Sequence, residues 1–526
     1  MKRKVLAAGW VCIWVAGLMY MRYGKELFST ANIVEFGSIL VCAVGLGLMV
    51  PHLRLFNDKT DKGIFFVVWG LVFLTFLLPY IAFFPGILGY DTPIQLSMYM
   101  GELELTAANP LLHTYVLGGM ISLGKYIFGS YKVGFALFVG LQVVLASNCM
   151  AQIFMFLKER RVPILISIVG TLWVAWNPVI QVLSCNATKD VLFGIFFTDF
   201  ILAFMNLLDR EDGRKRDIFR MILTGVLMCM FRNALIFLVM LLAVMSLFYC
   251  LHKKNRNKLM LGFVGIIGIV EAAALVSAGP LGIPGGELHE ALSVPIQQLA
   301  GAAHYTYEYQ QMQNPQEEAP VAISREELEA IQELLPDREV LEQSFHPYSV
   351  DGVKAIFQDD VFLSDKSRFI EVYLSLAKKN PGLYVYCWRD LISPYFDMGS
   401  NLSRYLAYEY TFPGLHLDEK YGIYFDGKYL TNYRSYLEQT VGKEYDGYMP
   451  FVWEPIVTLY LLGLLVGRAI LQKEGNILLG VVPILFYFVG LLLGPVALLR
   501  YTYPFMLTTP LLLGLLFRQD KNVLAI

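Results

Sequence analysis

Apolar residues in this chain gather in long unbroken runs, parted by short stretches of Lys, Arg, Asp and Gly, and one much longer polar interval interrupts them. Runs of roughly 17 to 25 apolar residues can cross a hydrocarbon layer ~30 Å thick as helices. The pattern predicts about twelve such spans, near 5–21, 32–50, 63–84, 133–157, 163–182, 190–208, 218–231, 234–251, 259–278, 451–467, 476–494 and 503–517. The run 218–231 is short for a span, and Arg232-Asn233 makes a tight polar tip before the next one.

The polar interval, 279–450, opens on Gly279-Pro280-Leu281-Gly282-Ile283-Pro284-Gly285-Gly286. Within it, Ser324-Arg325-Glu326-Glu327 has the spacing of a capping box and predicts a helix through Leu335. A second helix is expected from Ser364 through Lys379, stopped by Asn380-Pro381-Gly382. The interval's Tyr- and Gly-rich end, 405–448, reads as irregular loops. The chain therefore divides into 1–278, a transmembrane region with a first outer loop at 85–132; 279–450, a mainly helical extracytoplasmic domain; and 451–526, a C-terminal transmembrane region. The expected fold class is an all-α polytopic membrane protein with that domain inserted before the last spans.

Composition agrees, with 56% hydrophobic and 16% charged residues and a mean hydropathy of +0.52, which places the chain among membrane proteins. Charge supplies the orientation. Lys2-Arg3-Lys4, 54–62, Lys158-Glu159-Arg160-Arg161, 210–220, 253–258, 468–473 and 518–521 all fall on one side by the span count, and all are rich in Lys or Arg. That side is expected to be cytoplasmic, with both termini there. The parity holds only if 108–130 does not cross, so that stretch is expected to be an interfacial or half-buried helix. The first apolar run is expected to be an uncleaved anchor, since Arg22-Tyr23-Gly24-Lys25 offers no small-residue cleavage site. The seven cysteines show no paired spacing and fit neither a disulfide framework nor a zinc site.

Candidate chemistry lies at the outward ends of the spans. Asp91, in Gly89-Tyr90-Asp91-Thr92-Pro93, is either a base at a water–lipid boundary or the N-cap of a helix, and a capping carboxylate is also a rigidly held one. His113 can bind a phosphate or a substrate hydroxyl from the same loop, or simply rest its ring on the membrane surface, and Glu102 is a further substrate-side candidate beside Glu104; solvated side chains are the plain alternative for both acids. Lys189 and Asp190 end the next outward tip, Ser184-Cys185-Asn186-Ala187-Thr188, as a phosphate partner and as a second carboxylate or helix cap, or simply as the polar end of a loop. Arg232 and Arg500 are cations against the usual charge bias. A guanidinium there can hold a phosphate through two parallel hydrogen bonds, with Tyr501 and Tyr503 beside it, or it can snorkel to lipid head groups. Asp199 and Glu271 lie deeper, where an unpartnered acid costs roughly 2.5–3.5 kcal/mol or more, so each is expected to be paired or to line a polar cavity. Asp359-Asp360 reads as a solvated face. The sequence holds no P-loop, dinucleotide turn or His-Glu-x-x-His, no metal-ligand set is identified, and nothing resembles a nucleic-acid-binding patch.

The order of these features resembles the membrane glycosyltransferases of the GT-C fold, most closely their protein-mannosyltransferase and aminoarabinose-transferase branch. An outward acid follows an early span, then come Asn109-Pro110-Leu111-Leu112-His113, a basic Lys158-Glu159-Arg160-Arg161 loop, and a tip ending in Asp190. The stretches Ser293-Val294-Pro295-Ile296-Gln297-Gln298-Leu299-Ala300 and Arg500-Tyr501-Thr502-Tyr503-Pro504 are similar to a group of bacterial multi-span membrane proteins near the same superfamily. The resemblance implies transfer of a sugar from a polyprenyl-phosphate carrier to a glycan or protein acceptor outside a bacterial cell membrane. Asp91 would activate the acceptor, Asp190 would be a second acid, and Lys189, Arg232 and Arg500 would hold the carrier phosphate. No cofactor is implied beyond the lipid-linked sugar as substrate, and metal use stays open. Relatives often carry His where this chain has Asn109, and their first-loop acid is often doubled. Two rival readings are a transporter or flippase for a lipid-linked glycan, working through Asp199 and Glu271, and a non-catalytic scaffold of envelope assembly.

Overall fold

The structure, a computed structural model, describes residues 61–89, 91–210, 215–251, 255–286, 288–311, 321–336, 338–396, 420–424, 428–441 and 451–518. The expected spans 5–21 and 32–50 and most of 405–448 lie outside the described residues. Among those described, regular structure is helical, with only isolated bridges between extended residues.

The helices up to residue 278 are α1 (Asp61–Ala82), α2 (Thr92–Tyr99), α3 (Leu111–Phe128), α4 (Tyr131–Glu159), α5 (Ile164–Trp176), α6 (Pro178–Ser184), α7 (Lys189–Asp209), α8 (Lys215–Phe231), α9 (Leu235–Tyr249) and α10 (Arg256–Ala278). Four of them, α1, α4, α7 and α10, are long and apolar enough to cross a membrane, and the bent pair α5–α6 makes a fifth if it counts as one span. Shorter apolar helices are α9, Ile456–Leu471 and Gly475–Leu491. Helix α7 is the hub: 83% of its apolar window is buried, against 28% for α1 and 22% for α10. It packs against α4, α8, Gly475–Leu491 and Tyr503–Leu507, whereas α1 and α10 lie at the margin.

Two expected spans are broken. At Asn177 the backbone turns extended, as a residue before proline prefers, and its side-chain oxygen accepts from the amides of Val179 and Ile180 at 3.0 and 3.3 Å. That cap starts α6 at an angle of 59° to α5. The last run, 503–517, is divided at Thr508 into Tyr503–Leu507 and Thr509–Leu516, with Pro504 and Pro510 each opening a segment. The stretch 108–130 forms α3, folded back on α4. Gly124 and Gly134 face each other so closely that a Cβ on Gly124 would sit 2.2 Å from the Gly134 backbone. Small residues on both helices let them meet this closely.

The first loop is stitched to the second. Gly86, at φ +136°, passes against α4, where a Cβ would meet Val139 at 2.5 Å. The next residue pairs with the 184–188 stretch: the Ile87 amide donates to Cys185 O at 2.8 Å, and the Ala187 amide to Ile87 O at 3.0 Å. Thr92 Oγ1 donates to Ala187 O at 2.8 Å and Gln142 Nε2 to Asn186 O at 3.0 Å. The expected outward tip is thus buried from Ser184 to Thr188. Its backbone polar groups find protein partners, which is the condition for irregular chain inside an apolar body.

Between 288 and 441 the segments are mostly short helices. The capping box forms: Ser324 Oγ accepts from the Glu327 amide at 3.2 Å, and Glu327 Oε2 from the Ser324 amide at 2.8 Å, opening Arg325–Leu334. Lys366–Lys379 ends at Asn380, as its Asn-Pro-Gly stop predicts, although Pro381 at once starts a further helix, Pro381–Ile392. Asp359 is not merely solvated, for its carboxylate meets His289 Nδ1 at 2.9 Å.

Glu327 joins the two expected helices, since its other oxygen takes Lys379 Nζ at 2.6 Å and Ser375 Oγ at 2.7 Å. Partial burial works to raise its carboxyl, but Lys379, the Ser324 amide and Ser375 outweigh it and bring it down to about 2. A depressed acid contributes stability above its unfolded value of about 4.3, and that contribution is lost as pH falls through the folded value. Glu327→Gln is expected to cost about 1–3 kcal/mol at neutral pH. In thermal unfolding the gap between wild type and variant should close as pH is lowered from about 4.5 toward 2; a gap that stays constant would contradict this role.

Candidate functional site

The stitched loops bring charges from four distant stretches together. Asp91 sits at the N-cap position of α2, yet its side chain makes no cap hydrogen bond. Its carboxylate turns instead to Lys189, with Nζ 2.9 Å from Oδ2, and to Arg500, whose Nη1 and Nη2 lie 3.2 and 3.5 Å from Oδ2 and Oδ1. Lys189 is the first residue of α7 and also donates to Asn109 Oδ1 at 3.0 Å. Arg500 lies in the short 3-10 turn Leu499–Thr502.

Behind this layer is a second. Asp190, almost wholly buried, accepts from Arg232 Nη1 at 2.8 Å, and its Oδ2 lies 3.7 Å from Arg500 Nε. The Arg232 guanidinium sits over the rings of Tyr487 and Tyr501, 5.3 Å from each centroid, with Phe193 at 5.6 Å. Tyr501 in turn accepts from Arg500 Nη2 at 3.1 Å, and its backbone oxygen from the Tyr487 hydroxyl at 2.7 Å. Among the described residues the cluster brings Lys189, Arg232 and Arg500 against Asp91 and Asp190. Cations gathered at a poorly solvated site are suited to hold an anion.

Burial works to raise the Asp91 carboxyl, but Lys189 and Arg500 together outweigh it and hold it well below the usual carboxylate range. Beside it, His113 is buried on α3, with Nδ1 3.0 Å from Gln95 Oε1. Gln95 Nε2 donates to Thr114 Oγ1 at 3.2 Å, and Thr114 donates onward to Pro110 O at 3.4 Å. That direction makes Gln95 Oε1 the acceptor, so the histidine proton sits on Nδ1 and Nε2 is a bare acceptor. Burial first and Lys189 second push the imidazole down to about 3, which keeps it neutral. The Nε2 nitrogen is buried, so the ring presents neither donor nor acceptor at the surface.

The expected site residues thus divide. Asp91, Lys189, Asp190, Arg232, Arg500 and Tyr501 come together, with His113 close to Asp91 and Lys189. Arg232 is engaged by Asp190 and stands over aromatic rings. Tyr503 is turned into the bundle, fully buried, its hydroxyl 3.1 Å from Ser184 Oγ, and does not face the cluster. Glu102 lies apart, bonded to Ser97 at 3.1 Å and to Lys420 and Tyr421. Sequence reasoning missed Gln95 and Tyr487, and knew Asn109 only as a departure from a motif. Of the deep acids, Asp199 pairs with Arg220 at 3.1 Å, while Glu271 is exposed on α10, in neither of its expected settings. Among the described residues, no group of three or more His, Cys, Asp or Glu stands close enough to hold a metal ion.

Helices of this length and apolarity, converging on charges at their ends, are those of a membrane-embedded helical protein. The chain belongs to DUF6020, a family of unknown function, whose family model matches residues 92–525. No curated protein and no solved structure matches the chain.

Proposed function

We propose that the protein is a membrane glycosyltransferase that moves a sugar from a polyprenyl-phosphate carrier to a hydroxyl acceptor on the outer face of the cytoplasmic membrane. The observation that carries this reading is the Asp91 carboxylate resting on Lys189 and Arg500. In the reaction the acceptor oxygen attacks the anomeric carbon as the bond from that carbon to the phosphate oxygen breaks. The electron pair leaves with the polyprenyl phosphate, and the acceptor proton passes to Asp91. Lys189 and Arg500 stabilise the charge that develops on the leaving phosphate, and Asp190 with Arg232 holds Arg500 in place.

The rivals have less to stand on. Of the two acids a transporter would use, Asp199 is engaged by Arg220 and Glu271 stands apart on exposed α10, and Asp91 does not spend its side chain on capping α2, as a scaffold would leave it to do. The test is transfer of labelled sugar from a polyprenyl-phosphate donor in sealed vesicles to a product that is no longer lipid-soluble. Lys189→Met is expected to lower transfer by about 10²-fold or more; transfer unaffected by that change would sink the proposal.

The orientation has its own check. With single cysteines in an otherwise cysteine-free chain, Glu104→Cys is expected to react with an impermeant maleimide from outside the cell. Glu159→Cys is expected to react only after permeabilisation. The opposite pattern would put the cluster on the cytoplasmic side and overturn the outer-face assignment.

A further inference from the structure

Asp91 and Asp190 meet the same arginine but are held very differently. Asp190 is almost wholly buried, its 2.8 Å bond to Arg232 has the length of a tight charge-assisted pair, and the arginine is wedged among rings. Asp91 is 29% exposed at the side chain, and its contacts to Arg500 are looser, at 3.2 and 3.5 Å. Both of its cations have other anchors: Lys189 bonds Asn109, and Arg500 bonds the Tyr501 hydroxyl and faces Asp190. The cations would thus stay in place if Asp91 left. The carboxylate also has somewhere to go, because its side chain is partly open at the surface of the described residues and makes no cap bond that would tie it to α2.

We propose that Asp91 is a built-in competitor for the phosphate site: its carboxylate occupies Lys189 and Arg500 when the site is empty, and an arriving phosphate displaces it toward its exposed side. The inference rests on the reading of Lys189 and Arg500 as phosphate ligands, and it adds a consequence that reading does not contain. Displacement turns a carboxylate held by two cations into one able to take a proton only after the donor has bound. It also weakens the hold on the product, since a polyprenyl phosphate monoester carries close to two negative charges at neutral pH and must compete with Asp91 to stay.

The test is binding alone, on the purified full-length protein in detergent, with a short-chain polyprenyl phosphate, inorganic phosphate and the unphosphorylated polyprenol as probes. The polyprenyl phosphate is expected to bind wild type, and Asp91→Asn to bind it about 10-fold more tightly. Lys189→Met and Arg500→Met should each lose 10-fold or more, and the polyprenol should ignore all three changes. Equal or weaker binding of polyprenyl phosphate by Asp91→Asn overturns the proposal. Tightening seen with inorganic phosphate but not with the lipid overturns the lipid source. Should Asp91→Asn unfold easily without ligand, its thermal midpoint should rise more on addition of polyprenyl phosphate than that of wild type, and a smaller rise counts against the proposal. Binding tightened in Asp91→Asn, with no sugar transfer by wild type, leaves this inference standing and removes the transferase reading. Transfer lost in Asp91→Asn together with weakened phosphate binding does the reverse.

Discussion

Asp91→Asn is expected to leave the helices folded while cutting sugar transfer by about 10²- to 10⁴-fold, the usual contribution of a positioned general base. Asparagine keeps the shape, and the Asp91 side chain makes no cap bond that could be lost, so α2 keeps its start and the change isolates the charge. It also leaves Lys189 and Arg500 their neighbours, which separates lost chemistry from lost architecture. The pH profile adds a second signature. Burial opposes ionisation of Asp91, but its two cations prevail and hold it well below the usual carboxylate range. Acid between pH 7 and 5 is therefore not expected to switch transfer off through protonation of the free site. Transfer by Asp91→Asn at the wild-type rate would end the assignment of this residue as the base.

Arg232→Leu is expected to have the largest effect on stability, about 3–5 kcal/mol, because it leaves Asp190 buried without its closest cation. Joining Asp190→Asn to it removes the stranded charge, so the double variant should recover a large part of the loss in thermal unfolding. The recovered protein should still transfer poorly, since Arg500 then lacks the acid that faces its Nε at 3.7 Å. If the single and double variants were equally destabilised, the Asp190–Arg232 pair would not be the support described here.

The residues of the site were legible in the sequence wherever a charge stood against the local trend. Asp91, Lys189, Asp190, Arg232 and Arg500 all stand at or beside the ends of apolar runs. Their partners were not legible. Arg232 and Asp190 are brought together by the packing of α8 on α7, and Asp91 and Lys189 by the Ile87–Asn186 bridge, neither of which leaves a local pattern. Tyr501 and Tyr503 look equivalent in sequence, but the turn at 499–502 sends one toward the cluster and the other toward Ser184. Local signals did better. The capping box at Ser324 and the stop at Asn380 depend on a few neighbouring residues and formed where expected. The bends at Asn177 and Thr508 had their prolines in plain view, yet a count of apolar residues passes over a proline that begins a new helical segment.

The account comes down to whether a lipid phosphate sits between Lys189 and Arg500. A cryo-EM structure of the full chain in a lipid nanodisc, with polyprenyl phosphate added, measures this directly. The expected result is phosphate density within hydrogen-bonding distance of both cations, with the Asp190–Arg232 pair intact and Asp91 no longer bonded to Arg500. Phosphate bound elsewhere, with Asp91 still resting on Lys189 and Arg500, would contradict it.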